Sequence, residues 1–400
     1  LLFKLGQLID DNIEELAVAE LRDNGKAITE VRGQMRTLMP IYRYYGGLAD
    51  KMQGDVIPAD EEHFLVYTRF EPYGVVAAIT PWNSPLRLLS WKLAPALAAG
   101  NTVVVKPAGV TSTSALELMK LIGQAGFPDG VVNVVTGSGS DVGMPLVEHP
   151  LVAKVSFTGG TEAGLRVAEA AARLGKPSTL ELGGKSPNII FADADLDQAV
   201  AGAVAGVFAS AGQTCIAGSR LLIQESVHDQ VVERVSALAQ TKRMGNPMDP
   251  ETEIGPVATR PQFEKIQGYA DTAKADGATL VTGGGRAQGP DYGDGFFFQP
   301  TVFTGVDNSM RIAQEEVFGP VLSVIPFKDE DDAVRIGNDV DFGLAAGVWT
   351  QNLKRAHTMA ARLKAGTVWI NTYRKNAPPV PQGGYKLSGL GREGGITSMH

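Results

Sequence analysis

The chain of 400 residues contains one cysteine, Cys215, in the glycine-rich stretch AGQTCIAGSR at 211–220. A free cysteine is most often an inert buried residue. Here, however, no bulky neighbour shields the sulfur, and backbone N–H groups in such a loop can lower the pKa of a thiol from about 8.5. The stretch therefore predicts a reactive thiol, and a nucleophilic thiol requires a carbonyl-type electrophile.

Two further side chains could complete that chemistry. Asn83 carries an amide that can donate a hydrogen bond to an oxyanion. Glu181 follows the apolar run STLEL, where desolvation would raise the pKa of its carboxyl towards the range of a general base. A capping or ion-paired glutamate is the alternative at that position. The three residues together are typical of thiol chemistry on a carbonyl, followed by hydrolysis.

Asn83 and Glu181 stand at the ends of predicted strands. Between 73 and 194, short β-branched runs alternate with helical patterns, which predicts a parallel, doubly wound sheet. The alternation resumes past Cys215 and predicts a second α/β unit. Two helical segments, at about 1–22 and 28–48, precede the first unit, and a glycine-rich loop at 283–297 separates two strands of the second.

Ligands of such sheets bind at the carboxyl ends of the strands. Two glycine groups follow predicted strands, one at 137, 139 and 143 and the other at 159, 160 and 164. Their backbone N–H groups could hold a pyrophosphate at a helix N-terminus. Neither group has the G-x-G-x-x-G spacing, so ordinary β–α turns are the alternative.

Composition excludes several classes of function. The net charge is −8 and 44% of residues are hydrophobic, with no basic run, which argues against a nucleic-acid or anionic-membrane partner. A lone cysteine suits a reducing compartment, and the five histidines lack metal-ligand spacing, so we expect a cytoplasmic protein without a metal. The helical stripe already under way at Leu1 and the ending GGITSMH predict a piece of a longer protein.

Seven motifs resemble those of the aldehyde dehydrogenase superfamily in order and spacing across essentially the whole chain. They are PWNSPL, NTVVVKPA, FTGG, LELGGKSP, GQTCIAGSR, EEVFGPV and GGYKLSGLGRE. The resemblance implies two Rossmann-like doubly wound domains with a small β oligomerisation flap, in a dimer or tetramer. It implies a cofactor-binding domain at 1–53 and 71–183, oligomerisation strands at 54–70, a catalytic domain at 184–383, and a C-terminal segment at 384–400 that returns to the cofactor domain.

The resemblance also implies a reaction, the oxidation of an aldehyde to an acid with hydride transfer to NAD or NADP. Cys215 would form a thiohemiacetal and then a thioester. Asn83 and the Cys215 backbone N–H would hold the oxyanion, and Glu181 would activate the hydrolytic water. Lys92 matches a lysine beside the site, with a solvated helix lysine as the alternative.

The resemblance places ten residues at the cofactor. Lys106 would contact the adenosine ribose, Glu316 the nicotinamide ribose, and Phe318 the ring. Two departures from the family pattern, Gly109 in place of a glutamate and Gly160 in place of a serine, predict use of NADP beside NAD. The ten are Trp82, Lys106, Gly109, Gly139, Gly159, Gly160, Leu182, Gln262, Glu316 and Phe318.

One helix face gives a clue to the substrate. Ser84, Arg87, Leu88 and Trp91 recur at helical spacing directly after Asn83 and should line the passage to Cys215. With Arg374, which follows a later strand, Arg87 could hold a carboxylate, which favours a semialdehyde; solvent-facing arginines are the alternative.

Two other functions stay open. A CoA-acylating relative would resolve the thioester with CoA, but such enzymes typically lack the glutamate of ELGG, which is Glu181 here. A silent scaffold on the same fold is disfavoured because Cys215, Asn83 and Glu181 are all present.

Overall fold

A computed structural model describes residues 1–400 as fourteen α-helices and seventeen β-strands. The helices are α1 (Leu2–Asp11), α2 (Ile13–Asn24), α3 (Ile28–Met35), α4 (Leu38–Leu48), α5 (Pro85–Ala98), α6 (Thr113–Ala125), α7 (Met144–Glu148), α8 (Thr161–Arg173), α9 (Leu196–Phe208), α10 (His228–Gln240), α11 (Arg260–Ala275), α12 (Arg311–Gln314), α13 (Glu330–Asn338) and α14 (Leu353–Arg362). The strands are β1 (Val56–Ile57), β2 (Val66–Tyr67), β3 (Val75–Ile79), β4 (Thr102–Lys106), β5 (Val132–Val134), β6 (Val152–Thr158), β7 (Ser178–Glu181), β8 (Pro187–Ile190), β9 (Arg220–Gln224), β10 (Thr279–Thr282), β11 (Thr301–Thr304), β12 (Val321–Phe327), β13 (Phe342–Gly343), β14 (Ala345–Trp349), β15 (Thr367–Ile370), β16 (Tyr385–Lys386) and β17 (Gly389–Leu390).

The first sheet has six strands in the order β17-β7-β6-β3-β4-β5. Its strands are parallel except β17, which pairs antiparallel with β7 through Gly389 and Glu181. The residues of β3 are nearly all buried because helices cover both faces of the sheet, as its continuous apolar run predicts. The last residues of the chain thus add a strand beside the strand that ends in Glu181.

The second sheet has seven strands in the order β10-β11-β12-β9-β8-β14-β15. All its pairings are parallel except that of β10 with β11. The 283–297 loop connects these two strands, as the sequence predicts, and carries one isolated bridge between Arg286 and Phe298. The two parallel sheets confirm the doubly wound α/β class. The exact domain boundaries stay a prediction.

The N-terminal helices differ from the predicted segments. The segment expected at about 1–22 is two helices that part at Asn12, whose φ of −114° and ψ of 24° leave the helical region. The second helix runs to Asn24 and ends at Gly25 with φ of 73°, a left-handed cap that glycine adopts without strain. The segment at 28–48 is likewise two helices, α3 and α4. Periodicity alone missed both breaks because the apolar stripe continues across them.

The predicted strands around the acidic turn form a two-stranded antiparallel ribbon of β1 and β2, with Val56 opposite Tyr67. Its apolar side chains project into solvent, with Val56 74% and Leu65 75% exposed. Exposed strand edges of this kind favour pairing with another strand. None of the helices is both long and apolar enough to cross a membrane.

Candidate active site

The loop that carries Cys215 joins α9 to β9 and begins with an unusual turn. Ser210, Ala211 and Gly212 all have left-handed backbone angles, with φ of 56°, 51° and 71°. Glu30, on α3, stabilises the turn by accepting hydrogen bonds from the Ser210 N–H at 2.8 Å and from the Ser210 hydroxyl. A Cβ at Gly212 would lie 2.0 Å from the carbonyl oxygen of Gly319, so only glycine fits there. The loop is therefore fixed before it reaches the cysteine.

The thiol of Cys215 has a pKa that is raised rather than lowered. Burial, and then the carboxylates of Glu316 and Glu181, raise it to about 12, while the backbone N–H groups of Cys215 and Ile216 lower it by less. The expectation of a depressed pKa was wrong because a glycine-rich loop indicates access to N–H donors but not burial or neighbouring charge.

Asn83 lies in the turn between β3 and α5 and is buried. Its side-chain Nδ2 donates to the carbonyl oxygen of Gln213 at 2.9 Å, which ties the amide to the cysteine loop. The backbone carbonyl oxygen of Asn83 accepts a hydrogen bond from the Nζ of Lys26 at 2.5 Å. An amide nitrogen has two hydrogens, and one remains for an oxyanion formed at Cys215.

Glu181 is the last residue of β7. Burial, and then the nearby Glu393 carboxylate, raise the pKa of its carboxyl to about 8, as desolvation after an apolar strand predicts. Its Oε1 is buried and has no hydrogen-bond partner within the chain. A carboxylate without a protein partner is free to accept a proton from water.

Two cavities meet at these residues. A cavity of about 110 Å³ and another of about 140 Å³ share Asn83, Leu88, Thr158 and Cys215 in their walls. We call the first the substrate-side cavity because it opens over Glu181 and α5, and the second the cofactor-side cavity because it opens over the start of α8. Cys215 can therefore be reached from two directions, as a reaction between two bound molecules requires.

The cofactor-side cavity brings together seven of the ten predicted cofactor residues. Trp82 and Phe318 pack edge to face with ring centroids 5.3 Å apart. Gln262 Nε2 donates to the carbonyl oxygen of Phe318 at 2.9 Å and so fixes the turn on which this ring sits. The seven are Trp82, Gly159, Gly160, Leu182, Gln262, Glu316 and Phe318.

The start of α8 can receive a phosphate. Gly160 is the N-cap, no side chain caps the free N–H groups, and a Cβ at Gly160 would touch nothing within 4 Å. An open helix N-terminus with free N–H groups is a natural pyrophosphate site. Beside it, Glu316 accepts from the Gly184 N–H at 3.0 Å, and burial raises the pKa of its carboxyl. The residues present fit a dinucleotide.

The other three predicted cofactor residues lie outside that cavity, at the ends of β4 and β5. Lys106 is the last residue of β4, and burial lowers its pKa. A Cβ at Gly109 would be 3.6 Å from the Gly137 carbonyl oxygen, and one at Gly143 would be 3.9 Å from the Lys106 side chain. Gly139 begins the π-helical turn at Gly139–Gly143. The strand ends therefore gather these three residues into one neighbouring cluster.

The five predicted passage residues, Ser84, Arg87, Leu88, Trp91 and Arg374, all line the substrate-side cavity. The first four lie on one face at the start of α5, which begins at Pro85 with Ser84 as N-cap. A proline at the first helical position is pre-set for this geometry. The helical spacing read from the sequence therefore describes the face correctly, and neither arginine points fully into solvent.

Comparison with known proteins agrees with this geometry. The sequence profile of the aldehyde dehydrogenase family matches residues 1–400. The chain belongs to the aldehyde dehydrogenase family. It is 48% identical to an aldehyde dehydrogenase of Emericella nidulans over 400 residues, which is 100% of this chain and 80% of the relative. The resemblance in the motifs, with its reaction class, is thus confirmed.

Solved aldehyde dehydrogenases share the fold. Betaine aldehyde dehydrogenase of Staphylococcus aureus, in complex with NAD+, is similar with a TM-score of 0.98 and 43% identity, over 100% of this chain and 79% of that one. An NAD+ complex of aldehyde dehydrogenase from Bacillus cereus gives a TM-score of 0.97 and 45% identity, over 100% and 80%. The doubly wound fold is therefore confirmed over the full length of this chain.

The predicted role of Lys92 in this aldehyde dehydrogenase needs correction. Lys92 is buried, so it is not a solvated helix lysine, and it lines neither cavity at Cys215. Its Nζ forms an ion pair with Glu393 and donates to the Ser156 hydroxyl at 3.2 Å. Glu393 lines the substrate-side cavity, so Lys92 reaches the site through that carboxylate and through its charge, which opposes the rise in the pKa of Glu181.

Sequence reasoning missed three charged residues that support the aldehyde dehydrogenase site. Lys26 is buried and bonds the Asn83 carbonyl and the Ser84 hydroxyl, the latter at 2.9 Å. Glu30 holds the cysteine turn, and Glu393 pairs with Lys92. Glu393 lies within the quoted GGYKLSGLGRE motif, so the motif offered a signal for it. Lys26 and Glu30 carry none, because their partners are more than 50 residues away in sequence.

Proposed function

We propose that this chain oxidises an aldehyde to the carboxylic acid with NAD or NADP as the acceptor of the hydride. The observation that carries the proposal is the meeting of two cavities at Cys215, with the Asn83 amide and the Glu181 carboxyl beside it. One cavity fits a dinucleotide at the start of α8, and the other admits the aldehyde. The dinucleotide complexes of the S. aureus and B. cereus relatives support the same cofactor here.

The first step is addition of the Cys215 Sγ to the aldehyde carbon. The Sγ–C bond forms as the π bond of the carbonyl breaks, the thiol proton passes to water, and the carbonyl oxygen becomes an oxyanion. Asn83 Nδ2 and the Cys215 backbone N–H would donate to that oxygen in a partly buried site, where such bonds are strong. The hydrogen bond from Asn83 to the Gln213 carbonyl keeps donor and nucleophile in register.

The bound dinucleotide would supply the oxidant, a ring that accepts the hydride leaving the thiohemiacetal carbon. Gly159 and Gly160 would hold its phosphates, Glu316 a ribose, and the Trp82–Phe318 pair the ring side of the cavity. On the protein, the product of this step is a thioester on Cys215.

Glu181 would complete the cycle by taking a proton from water. The water oxygen bonds to the acyl carbon, the C–Sγ bond breaks, and the acid leaves with the thiol restored. A pKa of about 8 is close to neutral pH, so this carboxyl can both accept and release a proton during the reaction. The presence of this base argues for water rather than CoA as the acceptor of the acyl group.

The test separates nucleophile from base. Cys215→Ala should abolish aldehyde-dependent formation of NADH or NADPH, which is followed by absorbance in a stopped-flow instrument. Glu181→Gln should give a single burst of about one reduced cofactor per site and then stall at the thioester, because hydride transfer precedes the step that needs the base.

Three outcomes would count against the assignment. Full steady-state turnover in Glu181→Gln would show that Glu181 is not the base. Residual oxidation in Cys215→Ala would show that Cys215 is not the nucleophile. Turnover that depends on added CoA would place the chain with the acylating relatives instead. A control at an exposed glutamate far from the site, Glu169→Gln in α8, should behave as the native chain.

Two finer predictions rest on the sequence and on the exposed β1–β2 ribbon. The unpaired apolar ribbon supports a dimer or tetramer, and the single free thiol supports a cytoplasmic location. Sedimentation and cell fractionation would decide them.

A further inference from the structure

Arg87 places a cation in the substrate-side cavity close to Asn83. It lies in the first turn of α5, and Asn83 lies just before Ser84, the N-cap of that helix. Its side chain lines the cavity together with Cys215. A thiolate at Cys215 would raise the pKa of this arginine, which shows that the two groups share one electrostatic neighbourhood.

The guanidinium of Arg87 has no partner in the protein, unlike the second arginine of the cavity. Arg374 donates to the Ala205 carbonyl oxygen at 3.3 Å and lies 3.6 Å from the carboxylate of Glu30. Arg87 makes neither a hydrogen bond nor an ion pair, although burial and the nearby Arg374 charge lower its pKa. Five N–H donors in a partly buried cavity are costly to leave unpaired.

The carboxyl groups of the same cavity do not compensate this charge. Glu393 is already paired with Lys92. Glu181 has a pKa of about 8, so it is largely neutral below that pH. The Glu30 carboxylate acts on Arg87 only through space, since it is bonded to Ser210 and lies 3.6 Å from Arg374. Arg87 is therefore the cation of the cavity that has no directly bonded carboxylate.

We propose that the substrate is an aldehyde with a carboxylate at its far end, held by the Arg87 guanidinium while Asn83 holds the aldehyde oxygen. This rests on the proposed function of the same site. A planar guanidinium matches a carboxylate through two parallel hydrogen bonds. Asn83 and Arg87 line one small cavity, which favours a short chain between the two ends of the substrate. The indole rings of Trp91 and Trp369 flank the passage with apolar surface for its methylene groups.

The same wall argues against a cationic aldehyde. Aromatic rings such as Trp91 and Trp369 could attract a quaternary ammonium group. An unpaired guanidinium in the same small cavity would repel that group through a medium that screens poorly. The relative from S. aureus is named for betaine aldehyde, and the proposal therefore separates the substrate of this chain from that of its neighbour.

The test compares kcat/KM for three matched aldehydes: succinic or glutaric semialdehyde, the uncharged butanal or pentanal, and betaine aldehyde. The native chain should prefer the semialdehyde. In Arg87→Leu the ratio of semialdehyde to uncharged aldehyde should fall by about 10- to 100-fold, as expected for loss of a charged hydrogen-bonded contact. Arg87→Gln, which keeps polarity but not charge, guards against misfolding of the leucine variant. Arg173→Leu, an exposed arginine on α8, should leave the ratio unchanged.

A second measurement does not require turnover. Succinate, an unreactive mimic of the charged end, should bind the native chain and bind Arg87→Leu at least about 10-fold more weakly by calorimetry. An unchanged substrate ratio, equal succinate affinity in the variant, or a preference for betaine aldehyde would each overturn the proposal. Oxidation of uncharged aldehydes with no role for Arg87 would leave the proposed function standing. Succinate binding through Arg87 without oxidation of any aldehyde would instead refute the function and keep the anion site.

Discussion

The two cavities that meet at Cys215 differ in the kinds of residue that form their walls. The cofactor-side wall includes three glycines, among them Gly159 and Gly160, and two aromatic rings, one of which is Phe318. The substrate-side wall consists of long side chains, with Arg87 and Glu393 among them. A wall of backbone keeps its shape whatever the substrate, whereas a wall of side chains can change with single substitutions. We therefore expect the cofactor-side cavity to be similar across the family and the substrate-side cavity to set the substrate preference of this chain.

The largest expected effect comes from Asn83, which lies in both walls. Asn83→Ala and Asn83→Asp both remove the amide donor, and we expect kcat to fall by about 100- to 1,000-fold for every aldehyde and either cofactor. Steady-state kinetics would measure the loss. Asn133→Ala, at an exposed asparagine within β5, is the control. A loss confined to one substrate would show that Asn83 belongs to the substrate wall alone.

A smaller effect should follow pH through Glu181. The pKa of its carboxyl is raised to about 8, and a general base acts only after losing its proton, so kcat should rise with pH and level off above about 8. Below that value the slope should approach about tenfold per pH unit. The profile is measured under saturating aldehyde and cofactor. A flat profile from about pH 6 to about pH 8 would contradict the assignment of Glu181 as the base.

The smallest effect concerns Gly109, outside both cavities. Gly109 has no left-handed φ and a Cβ there makes only an ordinary contact, so a side chain can be added without strain. Gly109→Glu should shift the ratio of kcat/KM towards NAD by about fivefold, since a carboxylate repels the 2′-phosphate of NADP. Gly109→Gln has the same shape without the charge and should shift the ratio less. Identical ratios in the two variants would exclude charge as the cause.

The sequence predicted those parts of the site that depend on local pattern. Runs of β-branched residues located the strands, so Glu181 and Lys106 fall at strand ends as expected, and helical spacing placed Arg87 and Trp91 on one face. Motif order supplied the family and hence the cofactor residues, seven of which line one cavity.

The sequence could not predict what depends on burial between distant segments. The pKa of Cys215 was expected to fall, but it rises because the thiol is buried and because Glu316 and Glu181 approach it from other parts of the chain. Lys92 was placed beside the reacting atoms, but its partner Glu393 is 301 residues away in sequence. Neither local propensity nor composition reports such contacts. The same limit explains why Lys26 and Glu30 escaped notice.

The hydrogen bonds between Glu30 and Ser210 make the position of the nucleophile depend on a distant part of the chain. The left-handed angles of Ser210 and Ala211 cost of order 1–3 kcal/mol each and persist only when neighbours enforce them. The enforcing carboxylate sits on α3, 180 residues earlier in the chain. A chain in which α3 is not docked lacks the contact that enforces this turn. The position of the thiol therefore depends on tertiary structure rather than on the loop alone, and a partly unfolded chain has the cysteine without the backbone geometry that presents it.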